Sequence, residues 1–227
     1  EGLGYFSFGG GGSNSYGMRL EVGGSFGDIY GRMFLRDDQG NYKYDDDGMP
    51  IADKSDLKKI GNTSPDFNLG WQNTFTYKGF TLYFLIDGRF GGNVISLTQA
   101  ELDKYGVSKV TGDARKQGGV RFDGKTIEDV SRFYTIVGGR DGIIYDATNI
   151  RLRELSLGYT LPAKLFVHVP VIKGADISLI GRNLFFFKND APYDPDGTLS
   201  VGNGLQGIDV FGMPSTRSFG FNVKVNF

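Results

Sequence analysis

The 227-residue chain has no cysteine, which excludes disulfide frameworks, zinc–thiolate sites, iron–sulfur clusters and cysteine nucleophiles. Its one histidine cannot build a His-rich metal site. That residue, His168, stands in a connecting segment beside Pro170 with no base–orienter pair for a Ser–His–Asp triad, and it reads as a solvated turn histidine. A dominant charge sign is also missing. The 25 Lys and Arg against 26 Asp and Glu leave a formal net charge of −1, without the basic footprint of a nucleic-acid binder. No apolar run approaches the ~18–20 residues of a membrane-crossing helix. A β-barrel never shows such a run, so this last exclusion is narrow. The chain opens on Glu1 without the regions of a signal peptide, and it reads as a mature product or a piece of something longer.

Glycine and aromatics are abundant instead: 36 Gly, 19 Phe and 12 Tyr. Gly9–Ser13, GGGGS, reads as a natural Gly-rich turn rather than an inserted linker, because aromatic, strand-like sequence flanks it. Period-two alternation is the dominant pattern. From Phe67 to Tyr77 the odd positions are Phe67, Leu69, Trp71, Asn73, Phe75 and Tyr77, and the even ones are polar or Gly. Lys78-Gly79 then supplies a two-residue turn. The following run inverts phase, with Phe80, Leu82, Phe84 and Ile86 on one face. Phe219, Phe221, Val223, Val225 and Phe227 repeat the alternation at the C-terminus. Ile150–Thr160 and Asp176–Phe187 predict two further strands, the first slipping at Arg153-Glu154 as a bulge would. A strand pair is expected within Gly4–Leu35. Thr98-Gln99-Ala100-Glu101 fits a capping box opening a helix to Tyr105, and a second helix is expected over Thr126–Tyr134.

The connections alternate between short and long. Lys78-Gly79 is minimal and Leu161–Ala175 modest, whereas Arg36–Asp66, Phe90–Asn149 and Lys188–Ser215 far exceed the usual few residues. Up-and-down strands would gather all the long loops at one end, an asymmetry of transmembrane barrels that a soluble sandwich can also show. The apolar face is strongly aromatic towards strand ends, as in the girdles at membrane interfaces. Trp71, Phe75, Tyr77, Phe80, Tyr159, Phe219 and Phe227 are the candidate girdle. The opposite face carries Asn, Gln, Thr, Ser, Lys and Gly.

Three local motifs are set aside. Gly202–Gly207, GNGLQG, matches the dinucleotide fingerprint in form but lacks the strand, helix and acidic partner that the motif needs. Asp45-Asp46-Asp47-Gly48 and Asp194-Pro195-Asp196-Gly197 lack the alternate ligands and the twelfth-position Glu of an EF-hand loop. They read as turns.

Asn149–Pro162, NIRLRELSLGYTLP, then Gly181–Asp196, GRNLFFFKNDAPYDPD, then Gly202–Phe227, GNGLQGIDVFGMPSTRSFGFNVKVNF, resemble the C-terminal end of SusC/RagA-like TonB-dependent transporters. Gly24–Gly40, Asn62–Thr76 and Leu85–Gly92 resemble the same family in the same order. The resemblance implies an all-β fold: antiparallel strands from the C-terminal part of a plugged transmembrane barrel of about 22 strands, with long extracellular loops carrying short helices. It implies that residues 1–227 lack the plug and the N-terminal strands. It also implies a bacterial outer-membrane nutrient importer for oligosaccharides or peptides. The partners would be a SusD-like surface lipoprotein, outer-membrane lipid and, through the missing N-terminal part, the TonB complex. No enzymatic activity, cofactor, metal or nucleic acid is expected. Asp87, Arg89, Arg151 and Arg153, at the extracellular strand ends on the polar parity, are the candidate cargo contacts. The plainer reading of these charges, and the weightier one, is that they pair with one another or with the plug to brace the lumen. Tyr134, Tyr145 and Tyr193 are the candidate lid contacts. The alternative is a soluble or surface-attached β-sandwich that binds glycans through exposed aromatics.

Overall fold

The computed structural model describes residues 5–7, 16–55, 57–137, 144–169, 171–197 and 206–227. Gly9–Ser13 and most of Gly202–Gly207 lie outside them. In chain order the strands are β1 (Tyr5–Ser7), β2 (Tyr16–Glu21), β3 (Asp28–Gly31), β4 (Lys58–Asn62), β5 (Phe67–Tyr77), β6 (Phe80–Phe90) and β7 (Asn93–Ser96). They continue as β8 (Val120–Phe122), β9 (Lys125–Ile127), β10 (Ile144–Asp146), β11 (Asn149–Thr160), β12 (Gly174–Asn189), β13 (Ile208–Asp209) and β14 (Ser218–Asn226). The helices are α1 (Leu97–Lys104), α2 (Lys109–Lys116) and α3 (Val130–Val137). They fall into two compact units.

The first unit to describe is a five-stranded antiparallel sheet in the order β14-β12-β11-β6-β5, made from Pro65–Gly91, Thr148–Asp190 and Pro214–Phe227. The alternating runs became its strands because each offers one apolar and one polar face to a pleated backbone. Lys78 (φ 47°) and Gly79 (φ 87°) are both left-handed, the signature of a type I′ turn whose twist matches the flanking strands. A Cβ on Gly79 would also meet the Thr160 carbonyl at 3.3 Å. The expected bulge at Arg153 is present, between the Leu152 and Glu154 registers. Facing it, β12 carries irregularities of its own, and Asn183 there takes a left-handed φ of 51°.

The second unit comprises stretches within Glu1–Ser64, Gly92–Ala147 and Ala191–Met213. It therefore contains most of the three long connections, which are ordered where they are described. One sheet runs β1-β2-β3-β4, a second β10-β7-β13, and β8 and β9 form a hairpin. Ile29, Ile95, Ala100 and Ile208 make one small core, and Phe34, Met49, Ile127 and Phe133 another. Around the latter, Phe34, Tyr42, Phe122 and Phe133 rings meet at centroid distances of 4.8–5.9 Å, within the range of favourable aromatic pairs.

Several expectations are corrected here. Gly4–Leu35 supplies three strands, β1 to β3, rather than one pair, and β4 from further along the chain completes their sheet. The cap of α1 is Ser96, whose hydroxyl accepts the Gln99 N–H at 3.0 Å; Thr98 is already helical, and its hydroxyl accepts the Phe211 N–H. The helix closes as a Schellman motif on Gly106 (φ 69°), with Val107 N–H to Leu102 O and Gly106 N–H to Asp103 O. The helix expected over Thr126–Tyr134 begins at Val130, because Thr126 and Ile127 pair with β8 and the Asp129 carboxylate caps the Arg132 N–H at 2.9 Å. Helix α2, capped by Ser108, was not expected.

Candidate functional site

The sheet has two chemically opposite faces, and cross-strand register defines each. On one face the rows read Tyr77–Phe80–Tyr159–Ile177–Val223, then Phe75–Leu82–Leu157–Leu179–Phe221, then Asn73–Phe84–Leu155–Gly181–Phe219, then Trp71–Ile86–Leu152–Phe185. Many of these side chains stand open, Trp71 at 55%, Leu179 at 63%, Phe219 at 77% and Phe221 at 76%, while Phe84 and Ile86 are half-buried and Leu152 is buried. Each such side chain left in water forgoes about 1.5–3 kcal/mol of transfer free energy. A contiguous apolar face of this extent marks a surface that something apolar covers. The rings at its two ends stack, Phe80 on Tyr159 at 4.5 Å and Phe67 on Phe90 at 4.6 Å. From Phe67 to Tyr77 the 11-residue strand spans roughly 33 Å at ~3.3 Å per residue, or ~25 Å in height at a ~40° tilt, the height of a barrel's apolar band.

Register also sorts the candidate girdle. Tyr77, Phe80 and Tyr159 share the row at the hairpin end. Phe227 lies just beyond that end, its carbonyl accepting from Lys173 Nζ at 3.2 Å. Phe75 stands one row inward, whereas Trp71 and Phe219 sit in the middle rows. Those two stand away from the end rows of the sheet. Parity alone assigned their face but not their height. Phe67 and Phe90 define the other rim, and the sequence reading missed their pairing.

The polar face carries a graded set of cross-strand contacts. Thr160 donates to Asp176 at 2.6 Å and Arg182 Nε to Glu154 at 2.9 Å. Higher up, Asp87 pairs across the strand with Arg151, their closest N–O distance being 3.6 Å. The bulge swings Arg153 onto the same carboxylate through its Nε at 3.1 Å and its Nη2. Arg153 Nη1 also donates to Asn183 Oδ1 at 3.4 Å. Arg151 is buried, with its guanidinium 5.4 Å from the Phe186 ring. Arg89 stands opposite the buried Asn149 two register positions further on. Of the four candidate cargo contacts, three are thus gathered around one carboxylate, and Arg153 and Asp87 keep about a third of their side-chain surface open.

The three tyrosines expected to meet a lid are engaged inside the loop unit. Tyr134 packs on the Phe133 core, and Tyr145 and Tyr193 pack on Val94, Ala147 and Ala191. The Tyr193 hydroxyl donates to the Ile95 carbonyl at 3.2 Å. Burial, with the Asp103 carboxylate as a second cause, pushes the Tyr145 phenol up to about 12 and raises that of Tyr134. All three are half-buried, and they pack in this unit because its apolar runs are short and it draws on tyrosines to fill its cores. The Asp-rich motifs are turns. Asp45 Oδ1 accepts the Asp47 and Met49 N–H groups, and Asp194 Oδ1 accepts the Asp196 N–H. No cluster of three or more His, Asp or Glu able to hold a metal occurs among the described residues.

A deeper carboxylate, Asp28, is fully buried on β3. Lys59 Nζ lies 2.8 Å away, and Asn62 Nδ2 and the Ser25 N–H donate at 2.5 and 3.0 Å. Burial alone would raise its pKa, but these donors together hold it below the ordinary carboxylate value.

No protein-family model matches the chain. Two similar proteins are TonB-dependent receptors of Formosa agariphila. Receptor P3 is 25% identical over 211 residues, covering 90% of this chain and 21% of the relative. Receptor P26 is 27% identical over 214 residues, covering 85% and 20%. The chain thus spans about a fifth of the length of these relatives. Among solved structures, the RagAB peptide transporter matches all of this chain and 25% of its own at 18% identity, with a TM-score of 0.69. The RagAB peptide importer in its open-open state matches 88% of this chain and 23% of its own, also at 18% identity, with a TM-score of 0.63.

Proposed function

We propose that this chain, a SusC/RagA-like TonB-dependent transporter segment of the outer membrane, serves in the import of oligosaccharides or peptides as the C-terminal part of the barrel wall. The observation that carries the reading is the five-stranded sheet with one bare apolar face and one polar, hydrogen-bonded face. That is how a barrel wall divides lipid from lumen. A glycan-binding sandwich is not favoured, because such a fold packs its apolar faces together, and the relatives are receptors of the TonB-dependent class. Within this reading the chain binds and releases cargo rather than transforming it. The pairing of Asp87 with Arg151 and Arg153 braces the upper wall, and the open edge of that cluster offers donors and an acceptor to passing cargo.

A SusD-like lipoprotein over the loop unit and the TonB complex are the partners this reading assigns. Support comes from the family resemblance and from the similarity to TonB-dependent receptors. The test is uptake of defined labelled oligosaccharides and peptides by cells expressing the full-length receptor. Accumulation of at least one should disappear in a strain without TonB and after collapse of the proton gradient. Uptake of every tested solute that is indifferent to both would overturn the proposal.

A further inference from the structure

The loop unit contains a cavity of about 520 Å³ at the junction of the Asp45–Gly48 turn, β9 and the start of α3. That volume lies within the usual range of small-ligand pockets. Its floor is apolar, formed in part by the buried Met49 and Ile127. One wall is clamped by Arg132, whose Nη1 and Nη2 donate to Asp47 at 2.6 Å and Asp45 at 2.8 Å. That fork joins the helix to the turn and uses up the Arg132 charge. Three other charged groups on the lining, Lys125, Glu128 and Asp129, have no ion pair within 4.0 Å among the described residues. The Lys125 ammonium rests over the Tyr44 ring, 3.4 Å from its centroid, while Tyr44 itself donates to Asp123 at 2.7 Å. The Glu128 carboxylate has no side-chain hydrogen bond among the described residues, and Asp129 beside it uses one oxygen on the Arg132 N–H.

We propose that this cavity is an outer binding pocket for a short peptide with both termini free. The ammonium terminus would meet Glu128 and Asp129, the carboxylate terminus Lys125, and small side chains the Met49–Ile127 floor. A neutral sugar would form hydrogen bonds there but leave charges of both signs uncompensated. A zwitterion answers both. The pocket lies in the loop unit and differs from the Asp87–Arg151–Arg153 cluster of the sheet. It rests on the import reading only in making peptide the cargo that it collects.

The test is calorimetric titration of the full-length receptor in detergent with tetra-alanine, N-acetyl tetra-alanine, tetra-alanine amide and maltotetraose. A charge-assisted contact supports an expected loss of about tenfold in affinity for each blocked terminus. Glu128→Gln should weaken tetra-alanine and shrink the penalty of N-acetylation, because Asp129 remains as the second carboxylate. Lys125→Met should become indifferent to C-amidation. All of these positions are exposed side chains, so folding is not at stake. Equal binding of free and blocked peptides, tighter binding of maltotetraose, or variants that keep full discrimination would each overturn the assignment. Uptake that depends on TonB without this binding would leave the import reading standing and remove the pocket alone.

Discussion

Asp87 and Asp28 are carboxylates that meet cationic side chains in different settings. Asp87 faces two guanidiniums, one of them the buried Arg151. Replacing it leaves a buried cation without that anion, the costly half of a broken pair. Asp87→Ala is expected to destabilise the sheet by about 2 kcal/mol, reduced from the fully buried figure because Asp87 is partly open. Urea unfolding of the refolded protein in detergent measures this, and an unchanged midpoint would show that the cluster adds nothing to stability. Asp28 is in the loop unit, and its lowered pKa fixes the sign of its pH dependence. A carboxylate depressed on folding contributes stability above its unfolded pKa, and that contribution is lost as pH falls through the folded value. Asp53 follows the same rule, held at about 2 by the Ser55 hydroxyl, then Lys58 and the Ser55 N–H. Hydrogen exchange in β3 and β4 should be insensitive to pH-linked destabilisation between pH 7 and 5, once corrected for intrinsic rates, and should lose protection below about pH 4. Asp28→Asn should lower protection at neutral pH and flatten the acid step at β3. A full acid step in that variant would move its origin elsewhere.

At the scale of elements, the Lys78-Gly79 turn offers a test with two signs. Both residues sit at positive φ, a geometry natural to Gly and Asn and strained for other side chains. Gly79→Ala is expected to destabilise the β5–β6 hairpin by about 1–2 kcal/mol, and Lys78→Asn to stabilise it by a few tenths. Both are read from the unfolding midpoint in detergent; shifts of the same sign would contradict the type I′ assignment. That turn and the five sheet strands could be read from sequence because alternation over nine to sixteen residues repeats one face many times, and even the Arg153 bulge shows as a break in parity. The loop unit offers no such repetition. Its strands are two to six residues long, too short for a period to register, and its cores join residues far apart in the chain, such as Ile29, Ile95 and Ile208. Helix α2, KVTGDARK, has too little apolar content to show a helical stripe; only its Ser108 cap could have marked it. For the site, parity placed Asp87, Arg151 and Arg153 on one face, but their convergence on a single carboxylate depends on the bulge geometry.

For the whole molecule, the decisive quantity is what covers the apolar face, and the chain carries its own probe of it. Trp71 is the single tryptophan and stands in a middle row of that face, with 55% of its surface open and its ring edge-on to Phe84 at 5.1 Å. In a bilayer that row lies in hydrocarbon, about halfway down an apolar band ~25 Å tall. After reconstitution into phosphatidylcholine vesicles, Trp71 emission should shift to the blue and resist aqueous acrylamide. Lipids brominated deep in their acyl chains should quench it more strongly than lipids brominated near the headgroup. The depth order matters because the ring of Tyr77 stands in the hairpin-end row of the same strand, which the barrel reading places at the interface. A Trp71→Phe, Tyr77→Trp variant should therefore reverse it, with shallow bromines quenching best. If Trp71 is quenched by acrylamide and untouched by either bromolipid, the bare face is not a lipid-facing wall and the barrel reading fails with it. If both positions respond equally at both depths, the sheet lies along the membrane surface rather than crossing it.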